Sequence, residues 1–512
     1  MLLLYFFTCI MFKEFILLLF FTVLVQHGAA QVVPAEGSLL NYRLAGFSVA
    51  GKEQISECRF EIADGDYSTE DSFNGHLIKT VTSKRKRAII ELPWWSHAYT
   101  WRAVYKRKDL KTVQSRLYHF NTDYSPDADT DSIRLRIIQP ASKYKDAYVF
   151  LDENRALYNM RGEPVWFMPK KFTEGDKRPR DLKVSSKGTI TFLISTEAYG
   201  INYNGDVLWK GPDNKDLSDK YGQSFHHDLT QLSNGHYMVL GDEAISMYPL
   251  LEDFKAGKLK NCSCDDVKRK VMEKSPAASP ARFGTVIEYD KNGKIVWSWR
   301  SFCYFIKSDI INYGAKGPLD LGDLHENSFY FDESAKCLYV GFRRISRILK
   351  IKYPEGKVTG VYGEIFRDGE SPKGNGLFCQ QHSVKHSEKG YLLLYNNNLC
   401  DSVMPSIMML REPSLPKEGL KKIWEYTCTM EADLPKQFHQ GGNIIELPGN
   451  SFFVSMGSPY SKVFIVGMDK KIVWSALPEK WDNAAKKWLI LPEYRASIIV
   501  NRNDIERMVL PF

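Results

Sequence analysis

Apolar and polar positions alternate in short runs along most of this chain, and turn residues interrupt them at close intervals. That pattern predicts many short strands and few helices. In the first quarter, Ala88–Leu92 reads as a strand, and Tyr99–Tyr105 (YTWRAVY) largely alternates. Ser115–Asn121 follows as its hairpin partner, with Trp101 and Phe120 expected in the core. The basic run Lys84–Arg87 reads as a solvated hairpin tip. Tyr124–Asp131 (YSPDADTD) is polar and turn-forming, so it reads as a linker.

Residues 31–130 therefore read as a β-sandwich domain. Leu92-Pro93 with Tyr99 a few residues on is similar to the tyrosine corner of sandwich domains. The stretch as a whole resembles a fibronectin type III domain and is expected to be a scaffold or docking module.

From residue 131 to 512 two motifs alternate. One is a polar or glycine turn followed by a strand ending near tryptophan, at Trp166, Trp209, Trp297, Trp424 and Trp474. A degenerate sixth copy without tryptophan spans Pro354–Glu364. The other is a short polar turn leading into an apolar strand. It starts from Ser185, Leu232, Asp332, His386 and Leu447, giving five clear copies. Short strands repeating at this spacing predict a β-propeller, whose closure hides its sheet edges, and six blades is the natural count. The fold expectation is thus all-β: an N-terminal β-sandwich and a six-bladed β-propeller.

The histidines fall at related places in this repeat. His227 lies eight residues before Gly235, and His382 eight before Gly390. His325 and His439 stand at similar distances upstream of their turns. Read as loop residues at one register, they converge on one mouth of the central channel. Arg343 ends the strand that His325 introduces. A permanently charged, planar guanidinium beside neutral imidazoles suits an anionic tetrahedral group with several oxygens.

Composition narrows the class further. The chain has 512 residues, 44% of them hydrophobic, and a net charge of +8 that is spread rather than clustered, which disfavours a nucleic-acid binder. Phe15–Val25 is an apolar run preceded by Lys13 and followed by Gly28-Ala29-Ala30. Residues 1–30 therefore read as a signal peptide, and the mature protein as secreted or periplasmic with no stable membrane span. Eight of the nine cysteines follow the signal, a count compatible with disulfides whose pairing is open. Cys262-x-Cys264 lacks the spacing of a zinc knuckle, and Asn261-Cys262-Ser263 is a weak glycosylation sequon.

The ordered motifs resemble those of the PAPS-independent aryl sulfotransferases, the arylsulfate sulfotransferases. The matching residues are His226-His227-Asp228-Leu229 with Leu232-Ser233-Asn234-Gly235, and His325-Glu326-Asn327-Ser328 followed by Arg343 and Lys350-Ile351. Gln381-His382 with Lys389-Gly390 and Asn396-Asn397 completes the set. The resemblance implies ping-pong sulfuryl transfer from an aryl sulfate to a phenol. His382 would be the sulfated residue, with His227, His325 and Arg343 around the transferred group. His226, Asn327, His439 and Asn397 would contact substrate. Either His227 or His325 would handle the phenol proton. No cofactor, metal or nucleotide is implied, the partners are small molecules, and a homodimer is compatible with it. The inserts at Leu250–Pro280 and Cys400–Glu418 depart from the family pattern. Two other readings compete: a metalloenzyme using the histidines, and a non-catalytic ligand-binding propeller.

Overall fold

The computed structural model describes residues 32–51, 54–109, 111–123, 132–174, 177–213, 224–245, 256, 266, 281–305, 324–363, 376–400, 404–414, 418–430 and 440–510. The expected signal peptide, the linker Tyr124–Asp131, Cys262, Cys264 and His439 lie outside the described residues. The chain divides into two compact units, Met1–Tyr124 and Ser125–Phe512.

The first unit pairs two sheets. One orders Ser38–Leu40, Tyr118–Thr122, His97–Arg107, Ile55–Asp64 and Leu77–Ser83, with Thr112–Gln114 also pairing with His97–Arg107. The other joins Leu44–Ser48 to Arg87–Glu91. Phe47 from the small sheet meets Trp101 edge-on at 5.2 Å and Phe120 at 5.9 Å, so inward aromatic rings fill the space between the sheets. The Tyr99 hydroxyl donates to the Trp94 carbonyl at 3.1 Å and accepts from the Trp94 N–H at 3.0 Å, which is the tyrosine-corner geometry. One expectation is corrected. Lys84–Lys86 links strands of different sheets, so the basic run is a crossing between sheets and not a hairpin tip.

In the second unit five four-stranded sheets are followed by one of six strands, in which Ile133–Gln139 and Lys487–Ile490 add to the edge of the fourth strand. Their first strands pack on each other in a closed cycle: Ala496–Ile499, Pro179–Val184, Phe225–Gln231, Glu326–Asp332, His382–His386, Asn443–Leu447 and back to Ala496–Ile499. The six sheets are the blades of a propeller, and those six strands line its central channel. Blade one is closed by both ends of the unit. Its innermost strand Ala496–Ile499 comes from the C-terminal end and pairs with Tyr148–Leu151.

The repeat motifs map onto this plan. The six tryptophan-type copies are the fourth strands of the six blades, from Pro164–Phe167 to Ile472–Asp482, and the fourth strand is the outermost in blades one to five. The five turn copies lead into the second strands of blades two to six. Blade one has no such copy because its first and second strands come from opposite ends of the unit, so no turn joins them.

Two sets of hydrogen bonds tie neighbouring blades. Around the channel, a polar side chain of each blade accepts from the innermost-strand N–H of the next. Asp152 accepts from Leu182, Asp181 from Leu229, and Asp228 from Phe329, at 3.0, 2.9 and 3.4 Å. Ser328 accepts from Val384, Ser383 from Ile444, and Asn443 from Ala496, at 3.3, 3.3 and 3.4 Å. The cycle closes on blade one, and each bond contributes about 0.5–1.5 kcal/mol. Further out, indole N–H groups of the fourth strands reach backbone carbonyls of the next blade. Trp166 donates to Tyr203, Trp297 to Pro354, Trp424 to Met468 and Trp474 to Met160, at 2.8–3.1 Å. The recurring tryptophan is thus an inter-blade staple. Trp209 departs from this and stacks on Tyr237 at 4.1 Å.

Candidate active site

The site lies where the innermost strands begin. His227 sits within Phe225–Gln231, His325 immediately before Glu326–Asp332, and His382 opens His382–His386. Two of the three imidazoles therefore stand on strands, where the sequence suggested loops. Each of these strands is bulged near its start: register shifts fall between Phe225 and Leu229, between Glu326 and Ser328, and between His382 and Lys385. His227, His325 and Ser383 carry positive φ, at 62°, 55° and 53°. Such bulges re-aim side chains that plain alternation would send to opposite faces. Left-handed non-glycine residues cost about 1–3 kcal/mol each and persist where surrounding bonds over-determine them. The ring around the channel supplies those bonds.

The structure brings His227, His325 and His382 together. The His227 and His325 rings are 5.2 Å apart. Tyr494 lies between the others, 6.1 Å from His227 and 6.3 Å from His382. Arg343 is 7% exposed, follows Cys337–Phe342, and donates its backbone N–H to the His325 carbonyl at 2.9 Å.

His382 is 1% exposed. The Nδ2 of Asn397 donates to the Gly441 carbonyl at 3.2 Å, so its Oδ1 faces His382 Nδ1 at 2.7 Å. That orientation makes Nδ1 the protonated nitrogen and leaves the lone pair on Nε2. Burial first, then Arg495, with Arg343 and His325 adding less, hold the imidazole pKa well below the ordinary 6.5 against the opposing bond from Asn397. His382 is accordingly neutral at physiological pH.

His227 forms a chain with two groups behind it. His226 Nε2 meets Asp242 at 2.9 Å, and His226 Nδ1 meets His227 Nδ1 at 2.7 Å. Burial opposes a charge on His226, but Asp242 outweighs it and the pKa rises. Burial, then the neighbouring imidazoles of His226 and His325, push His227 well below its ordinary value. A protonated His226 donates both N–H groups, one to Asp242 and one to His227 Nδ1. His227 then carries its own proton on Nε2. Asn327, fully buried, donates to the Gln381 carbonyl at 2.7 Å, just before His382. His226, Asn327 and Asn397, expected to contact substrate, thus each bond a backbone or side-chain group that sets a histidine in place.

Two residues escaped the sequence reading. Arg495, with its side chain 4% exposed, donates to the carbonyls of His227 and Asn327, both at 2.7 Å, and pairs with Asp181 at 3.4 Å and Asp228 at 3.6 Å. The hydroxyl of the neighbouring Tyr494 is buried with no partner among the described residues, and Arg180 lies over its ring at 4.3 Å. The available signal was the placement of Tyr494-Arg495 directly before the apolar run Ala496–Val500, which parallels His325 before its strand.

A disulfide joins Cys379, three residues before His382, to Cys400, three after Asn397. It closes a 21-residue span around the His382–Asn397 pair, and the Cys379 N–H also donates to Asn396 at 2.9 Å. Cys379→Ser is expected to lower stability by about 2–4 kcal/mol. It should also reduce kcat several-fold, as read by thermal unfolding and by turnover.

The arylsulfotransferase (ASST) family model matches residues 103–254. The match supports the arylsulfotransferase family reading of the sequence. The matched segment holds His226, His227 and Asp242, while His325, Arg343, His382 and Arg495 lie beyond it. No curated protein matches the chain. Similar solved structures include a protein of unknown function from Bacteroides caccae, 12% identical, covering 72% of this chain and 99% of that one, with a TM-score of 0.40. A Lactobacillus plantarum protein is 10% identical over 86% of this chain and 99% of its own, with a TM-score of 0.33. Neither likeness carries an argument about what this chain does. Among the described residues no helix is long and apolar enough to cross a membrane.

Proposed function

We propose that this protein is a PAPS-independent arylsulfotransferase that moves a sulfuryl group from an aryl sulfate to a phenol through a sulfohistidine on His382. The observation that carries the reading is the fixed tautomer of His382. Asn397 holds Nδ1–H, so a neutral imidazole offers its Nε2 lone pair in a pocket whose nearest cations are Arg495 and Arg343. The family match over residues 103–254 supports arylsulfotransferase activity in general.

In the first half-reaction Nε2 of His382 attacks sulfur, and the bond from sulfur to the aryl oxygen breaks. The leaving phenolate takes the Nε2 proton of His227 as the His226 Nδ1 proton moves to His227 Nδ1, so the ring stays neutral, and the second half-reaction reverses both transfers. Positive charge grows on the His382 ring and is met by the Asn397 carbonyl. Sulfuryl transfer spreads negative charge over equatorial oxygens, so Arg343, with the partnerless Tyr494 hydroxyl, acts chiefly by position and charge. In the second half-reaction the acceptor phenol gives its proton back to His227, its oxygen attacks sulfur, and the N–S bond breaks. His226 and Asp242 keep His227 in the required tautomer, and Asn327 and Asn397 are positioning residues. Residues 1–30 would direct export, and the Cys379–Cys400 disulfide is compatible with an oxidising destination.

The test is incubation with p-nitrophenyl sulfate and a phenol, followed by intact mass. Nitrophenol release and a sulfuryl adduct on His382 are expected, and absence of both in folded protein would sink the reading. The pH dependence follows from the depressed histidine pKa values. Because His382 stays neutral below its ordinary 6.5, the acid limb of kcat/KM is expected below pH 6.5. For stability, the unfolded chain binds protons at His227 and His382 that the folded one does not, so stability falls as pH drops through 6.5 and recovers above it.

A further inference from the structure

The innermost strands run from the histidine end of the channel to its opposite end, where they line a cavity of about 600 Å³. That volume lies within the range of about 300–1,000 Å³ seen for small-molecule sites. Its lining is mixed, with Tyr330, Phe331 and Ile445 half-buried beside the polar Thr230 and Gln231. Lys183 and Lys385 also line it, with side chains 24% and 25% exposed.

Charged groups meet at the inner end of this cavity. Lys183 pairs with Asp181 at 2.7 Å and Asp228 at 3.0 Å. Arg495 pairs with the same two carboxylates from the histidine side. Lys385 reaches only Asp228, at 3.8 Å. Among the described residues Lys183, Lys385 and Arg495 thus all meet Asp181 or Asp228, with Asp152 also acting on Arg495, and Lys385 holds the longest of these pairs at the cavity wall. Burial, the largest cause, pushes the Lys385 pKa down, while it raises that of Asp181 and so weakens the neutralisation. The other charged groups lining the cavity are Glu388, Glu446, Lys389 and His386. The Glu388 N–H donates to Glu446, Lys389 bonds Asn450, and His386 pairs with Asp332.

We propose that this opposite end of the channel binds a small amphipathic anion, with one sulfonate or carboxylate head at Lys385 and an aromatic or branched apolar body against Tyr330 and Ile445. The site is separate from the histidines and does not depend on the chemistry proposed for them. An apolar body gains by leaving water, and the head offers Lys385 a closer counter-charge than Asp228 does at 3.8 Å.

Calorimetric titration of the full-length protein with naphthalene-1-sulfonate and 1-naphthoate tests the site, with uncharged 1-naphthalenemethanol as control. Both anions are expected to bind with one equivalent that survives Arg343→Ala, and the alcohol at least tenfold more weakly. Lys385→Met should weaken the anions at least tenfold. Ile445→Trp, which fills the cavity without altering a buried charge, should remove that equivalent, and it decides the matter if Lys385→Met does not fold. Binding unchanged in Ile445→Trp, binding lost only in Arg343→Ala, or no binding to the wild type at millimolar probe would each overturn the proposal.

Discussion

His382→Ala is expected to abolish turnover of p-nitrophenyl sulfate, lowering kcat by about 10⁴-fold or more, as removal of a covalent nucleophile does elsewhere. The argument rests on three features of one side chain. Its Nδ1 is committed to Asn397, its surroundings disfavour the protonated ring, and Nε2, which accepts a long 3.4 Å bond from the Gly441 N–H, keeps the lone pair that attacks. Intact mass gives the sharper readout: the variant should show no sulfuryl adduct while its fold, followed by circular dichroism, is unchanged. A variant that still accumulates the adduct would place the carrier on another residue. Asn397→Ala should keep the adduct but slow its formation, because the tautomer is no longer held.

The second large effect concerns stability. Arg495→Met is expected to destabilise the propeller by about 3–5 kcal/mol, the usual result of removing one partner from a buried ionic cluster. The guanidinium neutralises Asp181 and Asp228 and caps the carbonyls of His227 and Asn327. Those carboxylates also belong to the ring of bonds between blades two, three and four. Loss of Arg495 therefore strains the bulge that carries His227, and kcat should fall with the melting temperature. Denaturant unfolding measures the first effect. A wild-type midpoint would show that Lys183 and Lys385 alone balance both carboxylates.

Part of this architecture was legible because it recurs locally. Each fourth strand carries its own turn and, in five copies, a tryptophan, so counting them counts the blades. The turn motif recurs five times and not six for the same reason, since the junction it would mark is where the ring closes. The histidines were legible as well, because their distance to the next turn is nearly constant. Their placement on bulged strands was not, since a bulge depends on the pairing partner and leaves no fixed residue pattern at positions such as His227 or Ser383.

What the sequence determined by itself is the repeat: an all-β chain, six blades, and an imidazole aimed at the channel from several of them. What only the tertiary structure decided is the role of each group. Arg495 reaches the His227 carbonyl from 268 residues away, and it does so because ring closure makes Ala496–Ile499 the innermost strand of blade one. The tautomer of His382 depends likewise on Asn397 being turned by the Gly441 carbonyl of the next blade. Such polarity is set by partners that meet only when the ring closes, so no local spacing along the chain encodes it.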